Sequence, residues 1–291
     1  MVDQSLVTIR TYEIVPQADT DGQVLALWLH GRSKHTQRAY SAKAGRFLVF
    51  VMKPLVRVSL GDVQAFADSL IGLAQSSKAQ TLAAIKSLLA FAHKIGYIPF
   101  NVGAALQLPK AKNTLAERIL QESEVHSMIA LEPSQRNRLI LKTLYYGGFR
   151  VSELCGLRWW DLQARGEEGQ MTVFGKGEKT RAVLLPASLW SELQEIRSGA
   201  GDDDSVFRSR NKGHGLDQSQ ILRIVRAASR RAGTEKKVSP HWLRHAHASH
   251  SLDRGAPIHL VQATLGHSSV ATTGRYLHAR PTESSGKYLA E

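Results

Sequence analysis

The sequence has only one cysteine, Cys155, among its 291 residues. A single thiol cannot form an internal disulfide, so a reducing compartment such as the cytoplasm is expected. The sequence also lacks any apolar run that approaches the roughly 20 residues of a membrane-spanning helix, and its first residues lack the apolar core of a secretory signal. These absences favour a cytoplasmic protein with no membrane partner.

Acidic residues are scarce relative to basic ones. The chain has 25 Asp and Glu residues against 38 Lys and Arg residues, which leaves a formal net charge of +13. A basic excess of this size suits a polyanionic partner, either nucleic acid or an acidic membrane surface. The alternative is a basic protein whose charge only keeps it dispersed, and composition does not separate the two.

Strand patterns are absent from the N-terminal part, between residues 20 and 110. Its apolar residues recur at helical spacing, and residues that can cap a helix precede several of these segments. Thr36 is expected to cap a helix that runs to about Met52, and Ser59 to cap a helix over residues 60–73. A further helix is expected to begin at Ser76 or Ser77. We therefore predict a helical N-terminal domain over residues 18–108.

The C-terminal part combines helices with strands. Residues 171–174 and 180–185 are short apolar strands around the turn Gly175-Lys176-Gly177-Glu178-Lys179, which predicts a β-hairpin. Helical patterns cover residues 122–131, 134–146, 187–197, 217–232, 240–254, 257–265 and 269–277. The predicted fold class is mainly α with a small antiparallel β-sheet, in which a mixed α/β domain occupies residues 117–291.

A polar, basic segment that begins at Pro109 lies between the two parts. Its composition is typical of a linker, and we assign residues 109–116 to one. The alternative is an ordinary surface loop within a single domain.

Arg150 and Glu153 are the first candidate functional pair. They are three residues apart, and if the segment is helical they share a face on which the carboxylate can orient the guanidinium. A plain surface ion pair is the alternative interpretation.

The densest group of candidate residues contains four histidines and an arginine: His241, Arg244, His245, His247 and His250. His241 and His245 have the i, i+4 spacing of some zinc ligands, which makes a zinc enzyme one hypothesis. However, Arg244 would place a fixed positive charge beside the metal. Anion binding is favoured, because a guanidinium fork matches a phosphate group. We interpret His247 and His250 as packing or surface residues.

Lys176 lies in the predicted hairpin turn. The turn leads into a second strand and not into a helix, so it is not a P-loop. A lysine there can protonate a leaving oxygen if its surroundings lower its pKa. The alternative is a solvated basic hairpin tip.

Tyr276 follows the segment Leu-Gly-His267 by nine residues. A tyrosine with the usual pKa of about 10 is a weak nucleophile and needs cationic neighbours and a proton acceptor to attack phosphorus. A lone tyrosine is more often a packing residue. The neighbouring motifs make Tyr276 the candidate nucleophile.

These motifs together resemble the tyrosine recombinase, or phage integrase, family. The resemblance rests on Arg150 in Gly-Gly-Phe-Arg-Val-Ser-Glu-Leu, on Lys176, on His241-x-x-Arg244-His245, and on His267 with Tyr276. The chain is most similar to the simple Xer-type recombinases, since no additional DNA-binding domain is evident ahead of the helical part.

The resemblance implies a set of catalytic residues: Arg150, Lys176, His241, Arg244, His267 and Tyr276, with Glu153 in support. Tyr276 would attack a DNA phosphate and form a 3′-phosphotyrosyl bond. The two arginines would bind the non-bridging oxygens, and Lys176 would protonate the leaving 5′-oxygen. His241 would assist proton transfer and His267 would hydrogen-bond the phosphate. No cofactor or metal ion is implied.

The resemblance also implies partners. The helical core-binding domain, which is SAM-like, and the catalytic domain would clamp double-stranded DNA that carries paired half-sites. A homotetramer would act on two duplexes, with or without a paralogous recombinase, in integration, excision or chromosome-dimer resolution at the nucleoid. The alternatives are a type IB topoisomerase-like enzyme that cuts and reseals one strand, and a DNA-binding regulator without catalysis.

Overall fold

The computed structural model describes residues 17–110, 113–174, 180–209, 213–234 and 236–277. The chain divides into two compact units, Met1–Lys112 and Asn113–Glu291. Each unit has its own hydrophobic core. The prediction of a mainly α fold with a small antiparallel sheet is confirmed. No helix in the described parts of the chain is long and apolar enough to cross a membrane.

The first unit contains four α-helices: α1 Asp21–Leu29, α2 Lys34–Val51, α3 Leu60–Ser69 and α4 Gln75–Lys94. Their apolar faces meet in a core that includes Trp28, Phe47, Phe66 and Ile85, each at most 2% exposed. Phe47 and Phe66 pack edge to face with ring centroids 5.1 Å apart, a geometry that aromatic pairs favour.

The capping residues of this unit partly correct the sequence-based predictions. Ser33, not Thr36, caps α2, and its hydroxyl accepts the backbone N–H of Thr36. Ser59 caps α3 as predicted, within a capping box shared with Asp62, but the helix ends at Ser69, short of residue 73. The fourth helix begins earlier than predicted, and its N-cap, Ala74, makes no side-chain hydrogen bond.

The second unit contains eight α-helices among its described residues: α5 Glu122–Ala130, α6 Gln135–Tyr146, α7 Val151–Gly156, α8 Ala187–Arg197, α9 Gln218–Arg231, α10 Pro240–Asp253, α11 Ile258–Leu265 and α12 Val270–Gly274. Pro240 occupies the first turn of α10, where its missing N–H costs no helical hydrogen bond. α10 is buried in the core and packs against α6 and α11.

A three-stranded antiparallel sheet lies beside these helices, with strands β1 Leu162–Arg165, β2 Glu168–Phe174 and β3 Thr180–Leu185 in the order β1-β2-β3. Met171 pairs with Val183 in the predicted hairpin. The turn between β2 and β3 lies outside the described residues. β1 was not predicted, because only its first residue, Leu162, is buried and so it has no alternation to recognise.

The start of α7, the body of α10 and the end of α11 lie next to one another. Gly148 precedes α7 with a φ of +59°, and an added Cβ would lie 2.8 Å from the His247 ring. Gly266 ends α11 with a φ of +64°, a left-handed conformation that glycine adopts without strain. These two glycines allow the backbone to approach α10 and β3 closely, and the backbone carbonyls beside them take part in the site described below.

Candidate active site

Arg150 and Glu153 form the first part of the site. Arg150 is the N-cap residue of α7, and its backbone N–H donates to Glu153 Oε2 at 2.8 Å. Its Nη1 also donates to Glu153 Oε1 at 2.8 Å. The interpretation as a plain surface ion pair is wrong, because the Glu153 side chain is only 4% exposed. The predicted orientation of the guanidinium by the carboxylate is confirmed.

Arg181 on β3 is a member of this cluster that the sequence analysis missed. Its Nη1 and Nη2 donate to the two Glu153 oxygens at 2.9 and 2.8 Å, and its Nε donates to the Thr264 carbonyl at 2.7 Å. Burial raises the pKa of Glu153, but the hydrogen bonds from Arg181 and Arg150 outweigh it and bring that pKa down to about 2. Glu153 is therefore ionised at neutral pH.

Arg244 on α10 is 2% exposed. Its Nη1 donates to the Gly148 carbonyl and its Nη2 to the Leu265 carbonyl, each at 2.5 Å. Burial lowers its pKa to about 10, and the positive charge of Arg150 adds to this effect. Arg244 remains charged at neutral pH, and the two carbonyls hold its guanidinium in one orientation.

Tyr276 is 6% exposed, and its hydroxyl is hydrogen-bonded to His245 Nδ1 at 2.8 Å. His241, to which the family resemblance assigns a part in proton transfer, packs its ring edge to face against His245 with centroids 5.2 Å apart. Burial, together with the nearby His241 and Arg244, lowers the pKa of His245 to about 4. Burial raises the pKa of Tyr276, while Arg244 and Arg275 oppose the rise.

His267 stacks parallel to Tyr276, with ring centroids 6.4 Å apart and an interplanar angle of 4°. Its Nδ1 is hydrogen-bonded to the Thr273 hydroxyl at 2.9 Å, and Thr273 is fully buried. Burial lowers the pKa of His267 to about 4, and the charges of Arg244 and Arg150 add to it. At neutral pH the ring is uncharged.

The other histidines of α10 have structural contacts. His250 Nδ1 is hydrogen-bonded to the Tyr145 hydroxyl at 2.9 Å, and its Nε2 to the Leu120 carbonyl at 3.0 Å. His247 Nδ1 is hydrogen-bonded to the Tyr145 carbonyl at 2.7 Å. Their interpretation as packing residues is confirmed. Among the described residues, no group of three or more His, Cys, Asp or Glu side chains is arranged to hold a metal ion.

The structure thus brings five of the six predicted catalytic residues into one region: Arg150, His241, Arg244, His267 and Tyr276. Lys176, the sixth, lies outside the described residues. Three contributors were missed by the sequence analysis, namely Arg181, His245 as the partner of the tyrosine hydroxyl, and Thr273. Two arginines beside uncharged imidazoles and a buried phenol can hold a phosphoryl anion next to a nucleophilic oxygen.

Comparisons with known proteins identify the family. The model of the phage integrase family matches residues 116–283, and that of the phage integrase N-terminal SAM-like domain matches residues 25–96. The tyrosine recombinase XerC of Xylella fastidiosa (strain 9a5c) is 34% identical over 260 residues, which span 85% of this chain and 87% of the relative.

Solved structures of tyrosine recombinases are also similar to this chain. The XerH site-specific recombinase, bound to palindromic difH substrate in a post-cleavage complex, is 25% identical with a TM-score of 0.65, over 76% of this chain and 67% of that one. A lambda integrase tetramer bound to a Holliday junction has a TM-score of 0.71 at 20% identity, over 87% and 78% of the two chains, and this likeness concerns the fold alone. The chain therefore belongs to the phage integrase family of tyrosine recombinases, a family of DNA strand transferases.

Proposed function

We propose that the chain is a site-specific DNA recombinase that cuts and rejoins strands through a covalent bond between Tyr276 and a 3′-phosphate. The observation that carries this proposal is the environment of the Tyr276 hydroxyl. It is buried, accompanied by the charged Arg244, and hydrogen-bonded to an uncharged imidazole at 2.8 Å. Tyr145 is also buried and hydrogen-bonded to a histidine, at 2.9 Å, so the feature that distinguishes Tyr276 is the charge of Arg244 and Arg275 acting on its phenol. Such cationic neighbours suit a nucleophile that must lose its proton.

Arg150 and Arg244 bind the two non-bridging oxygens of the scissile phosphate in this mechanism. A guanidinium has five N–H donors, so the two that Arg244 commits to backbone carbonyls still leave donors for an oxygen. Because Glu153 and the carbonyls of Gly148 and Leu265 orient the two groups before DNA binds, little reorganisation is needed as charge develops in the pentacoordinate transition state.

The remaining predicted residues handle protons and hydrogen bonds. His267 Nδ1 is hydrogen-bonded to the Thr273 hydroxyl. We assign the hydroxyl as the donor, which leaves the proton of His267 on Nε2 for a phosphate oxygen. Lys176 protonates the leaving 5′-oxygen, and His241 assists proton transfer near Arg244. The covalent link conserves the energy of the phosphodiester, so the reaction uses no metal ion or cofactor. Attack by the 5′-hydroxyl of another strand then completes recombination.

The proposed partner is double-stranded DNA with paired half-sites. Its support is the net charge of +13 and the likeness to XerH, whose structure contains its difH substrate.

Residues 18–108 form the core-binding domain in this proposal, residues 109–116 the linker and residues 117–291 the catalytic domain. A homotetramer on two duplexes, with or without a paralogous recombinase, follows from the need to exchange strands. With this DNA partner, the proposed location is the nucleoid and the proposed role is integration, excision or chromosome-dimer resolution.

A nicked suicide substrate tests the proposal, using the DNA site recovered by sequencing fragments bound to the protein. Wild type should form a covalent protein–DNA species, and Tyr276→Phe should form none. Tyr146→Phe is the matched control, since that tyrosine is 38% exposed, and it should react like wild type. Equal behaviour of wild type and Tyr276→Phe would refute the enzyme proposal. Relaxation of supercoils without joined products from two duplexes would indicate a topoisomerase.

A further inference from the structure

The hydrogen bond between Tyr276 and His245 connects the proposed nucleophile to a residue outside the six predicted catalytic positions. His245 Nδ1 lies 2.8 Å from the phenolic oxygen, and the ring centroids are 5.7 Å apart at a tilt of 47°. No other hydrogen bond of the Tyr276 side chain is found among the described residues. His245 follows Arg244 directly on α10, so the same helix holds both the phosphate-binding group and the partner of the nucleophile.

A phenol that attacks phosphorus has to lose its proton as the new bond forms. Burial makes this loss harder for Tyr276, because it raises the pKa of the phenol. A proton acceptor within hydrogen-bond distance is therefore needed, and geometry decides which group it is. His245 Nδ1 is at this distance, whereas His241 contacts the ring of His245 and not the phenol.

Charged and titratable groups on several elements face His245. His241 and Arg244 belong to the same helix, Arg118 lies in a short 3₁₀ turn before α5, and Arg275 follows α12. Burial is the largest cause of the low pKa of His245, and these groups all act in the same direction. The imidazole is therefore uncharged at neutral pH, and in the tautomer with its proton on Nε2 it accepts the hydroxyl hydrogen at Nδ1.

We propose that His245 is a further catalytic residue, which holds the Tyr276 hydroxyl in position and accepts its proton during attack on DNA. This inference rests on the proposed function of Tyr276. The phenolic oxygen forms its bond to phosphorus while the bond from phosphorus to the 5′-oxygen breaks. The phenolic proton moves to His245 Nδ1, and the 5′-oxygen takes a proton from Lys176. In the rejoining step the 5′-hydroxyl gives its proton to the neutral Lys176 amine as its oxygen attacks phosphorus. The bond from phosphorus to the phenolic oxygen breaks, and the imidazolium returns its proton to the leaving phenolate.

Single-turnover cleavage of the suicide substrate by His245→Ala tests this assignment. The rate should fall by about 10²-fold or more, which is the usual contribution of a general base. DNA affinity and the circular dichroism spectrum should stay close to those of wild type. His259→Gln is the control, because His259 is an exposed histidine on α11. It should cleave at the wild-type rate.

Three readouts separate a proton acceptor from a structural residue. Replacement of Tyr276 by a more acidic fluorinated tyrosine should recover roughly tenfold in His245→Ala but change the wild-type rate little. Cleavage by His245→Ala should rise with pH throughout the alkaline range, because the phenol has lost its proton acceptor and its pKa is raised by burial. Wild type should be nearly flat above about pH 6. A 5′-bridging phosphorothiolate, whose leaving group needs no proton, should not rescue His245→Ala.

The outcomes distinguish this inference from the proposed function. If Tyr276→Phe is inactive while His245→Ala cleaves like wild type, the role of His245 is overturned and that of Tyr276 stands. A slow His245→Ala that fluorotyrosine does not rescue, or that the phosphorothiolate does rescue, also overturns it. Covalent complexes from Tyr276→Phe would overturn the proposed function itself.

Discussion

Arg181 donates hydrogen bonds to both carboxylate oxygens of Glu153, at 2.9 and 2.8 Å, across 28 residues of sequence. The same carboxylate accepts from Arg150, so one buried acid is bonded to two arginines that come from different elements. Since Arg181 also donates to the Thr264 carbonyl, it joins β3 to the start of α7 and the end of α11. We therefore expect the position of Arg150, which is proposed to bind phosphate, to depend on this connection through Glu153.

Glu153 should make stability depend on pH in acid solution. Its pKa falls from 4.5 to about 2 in the folded protein, which corresponds to about 3 kcal/mol. Because the folded value is the lower one, this stabilisation is present above about pH 4.5 and is lost as the pH falls toward 2. The free energy of unfolding of wild type, minus that of Glu153→Gln, should follow this curve.

A control separates this effect from general acid unfolding. Asp203 forms an ion pair with Arg158 in which its side chain is 73% exposed, and such exposed pairs contribute little. Asp203→Asn should leave the free energy of unfolding nearly unchanged. The difference in the free energy of unfolding between wild type and Glu153→Gln should change between pH 2 and pH 7. If it stays constant over this range, the buried carboxylate does not have the assigned partners.

Arg181→Ala should slow DNA cleavage without abolishing DNA binding. Loss of the bidentate bond leaves Glu153 with a single arginine, and displacement of Arg150 by about 1 Å can cost about 10²-fold in rate. The cleavage rate of Arg181→Lys should lie between those of wild type and Arg181→Ala, because lysine keeps the charge but not the planar guanidinium group. Arg165→Ala on β1 is the control, since that exposed arginine bonds only to Gln170 among the described residues. Cleavage by Arg181→Ala at the wild-type rate would contradict this role.

Gly266→Ala should disturb the site more than a comparable glycine substitution. Both Gly266 and Gly255 end helices with positive φ, +64° and +82°, so alanine at either position costs about 1–2 kcal/mol in the backbone. Only at Gly266 would the new methyl group meet the Arg181 side chain, at 3.1 Å. Single-turnover cleavage should therefore decrease in Gly266→Ala and stay near wild type in Gly255→Ala. Equal rates in the two variants would show that the contact with Arg181 is unimportant.

Thr273→Val should weaken cleavage by removing the hydroxyl that orients His267. A hydrogen bond of this kind contributes about 1 kcal/mol, so the cleavage rate should fall roughly five- to tenfold. Thr272→Val is matched in sequence and chemistry, but its side chain is exposed and it should cleave normally. If both variants cleave like wild type, the tautomer of His267 is set by something other than Thr273.

The elements that the sequence predicts well are those with strong local signals. Ser59 with Asp62 three residues later marks the start of α3, and the apolar pairs of β2 and β3 mark the hairpin. β1 has a single buried residue and gives no such signal. Ser33 and Thr36 are both good capping residues, and only the backbone geometry decides that Ser33 is the cap.

The candidate site also contains residues that a local signal predicts and residues that only tertiary contacts bring together. The helical spacing places His241 and Arg244 on one face of α10, but the hydroxyl that His245 contacts is 31 residues away, at Tyr276. Arg181 lies on a strand with ordinary alternation, and its bond to Thr264 closes a separation of 83 residues. Such contacts depend on tertiary packing, so the sequence motif identified the proposed phosphate-binding residues but not the groups that orient them.

The central claim is tested most directly by finding which atom of the protein becomes joined to DNA. Wild-type protein should be trapped on the suicide substrate, digested with protease and nuclease, and analysed by mass spectrometry. The account predicts one modified peptide, with a nucleotide 3′-phosphate on the oxygen of Tyr276. A modification at Tyr145, Tyr146 or Tyr288, a link to a 5′-phosphate, or the absence of any covalent peptide would contradict it.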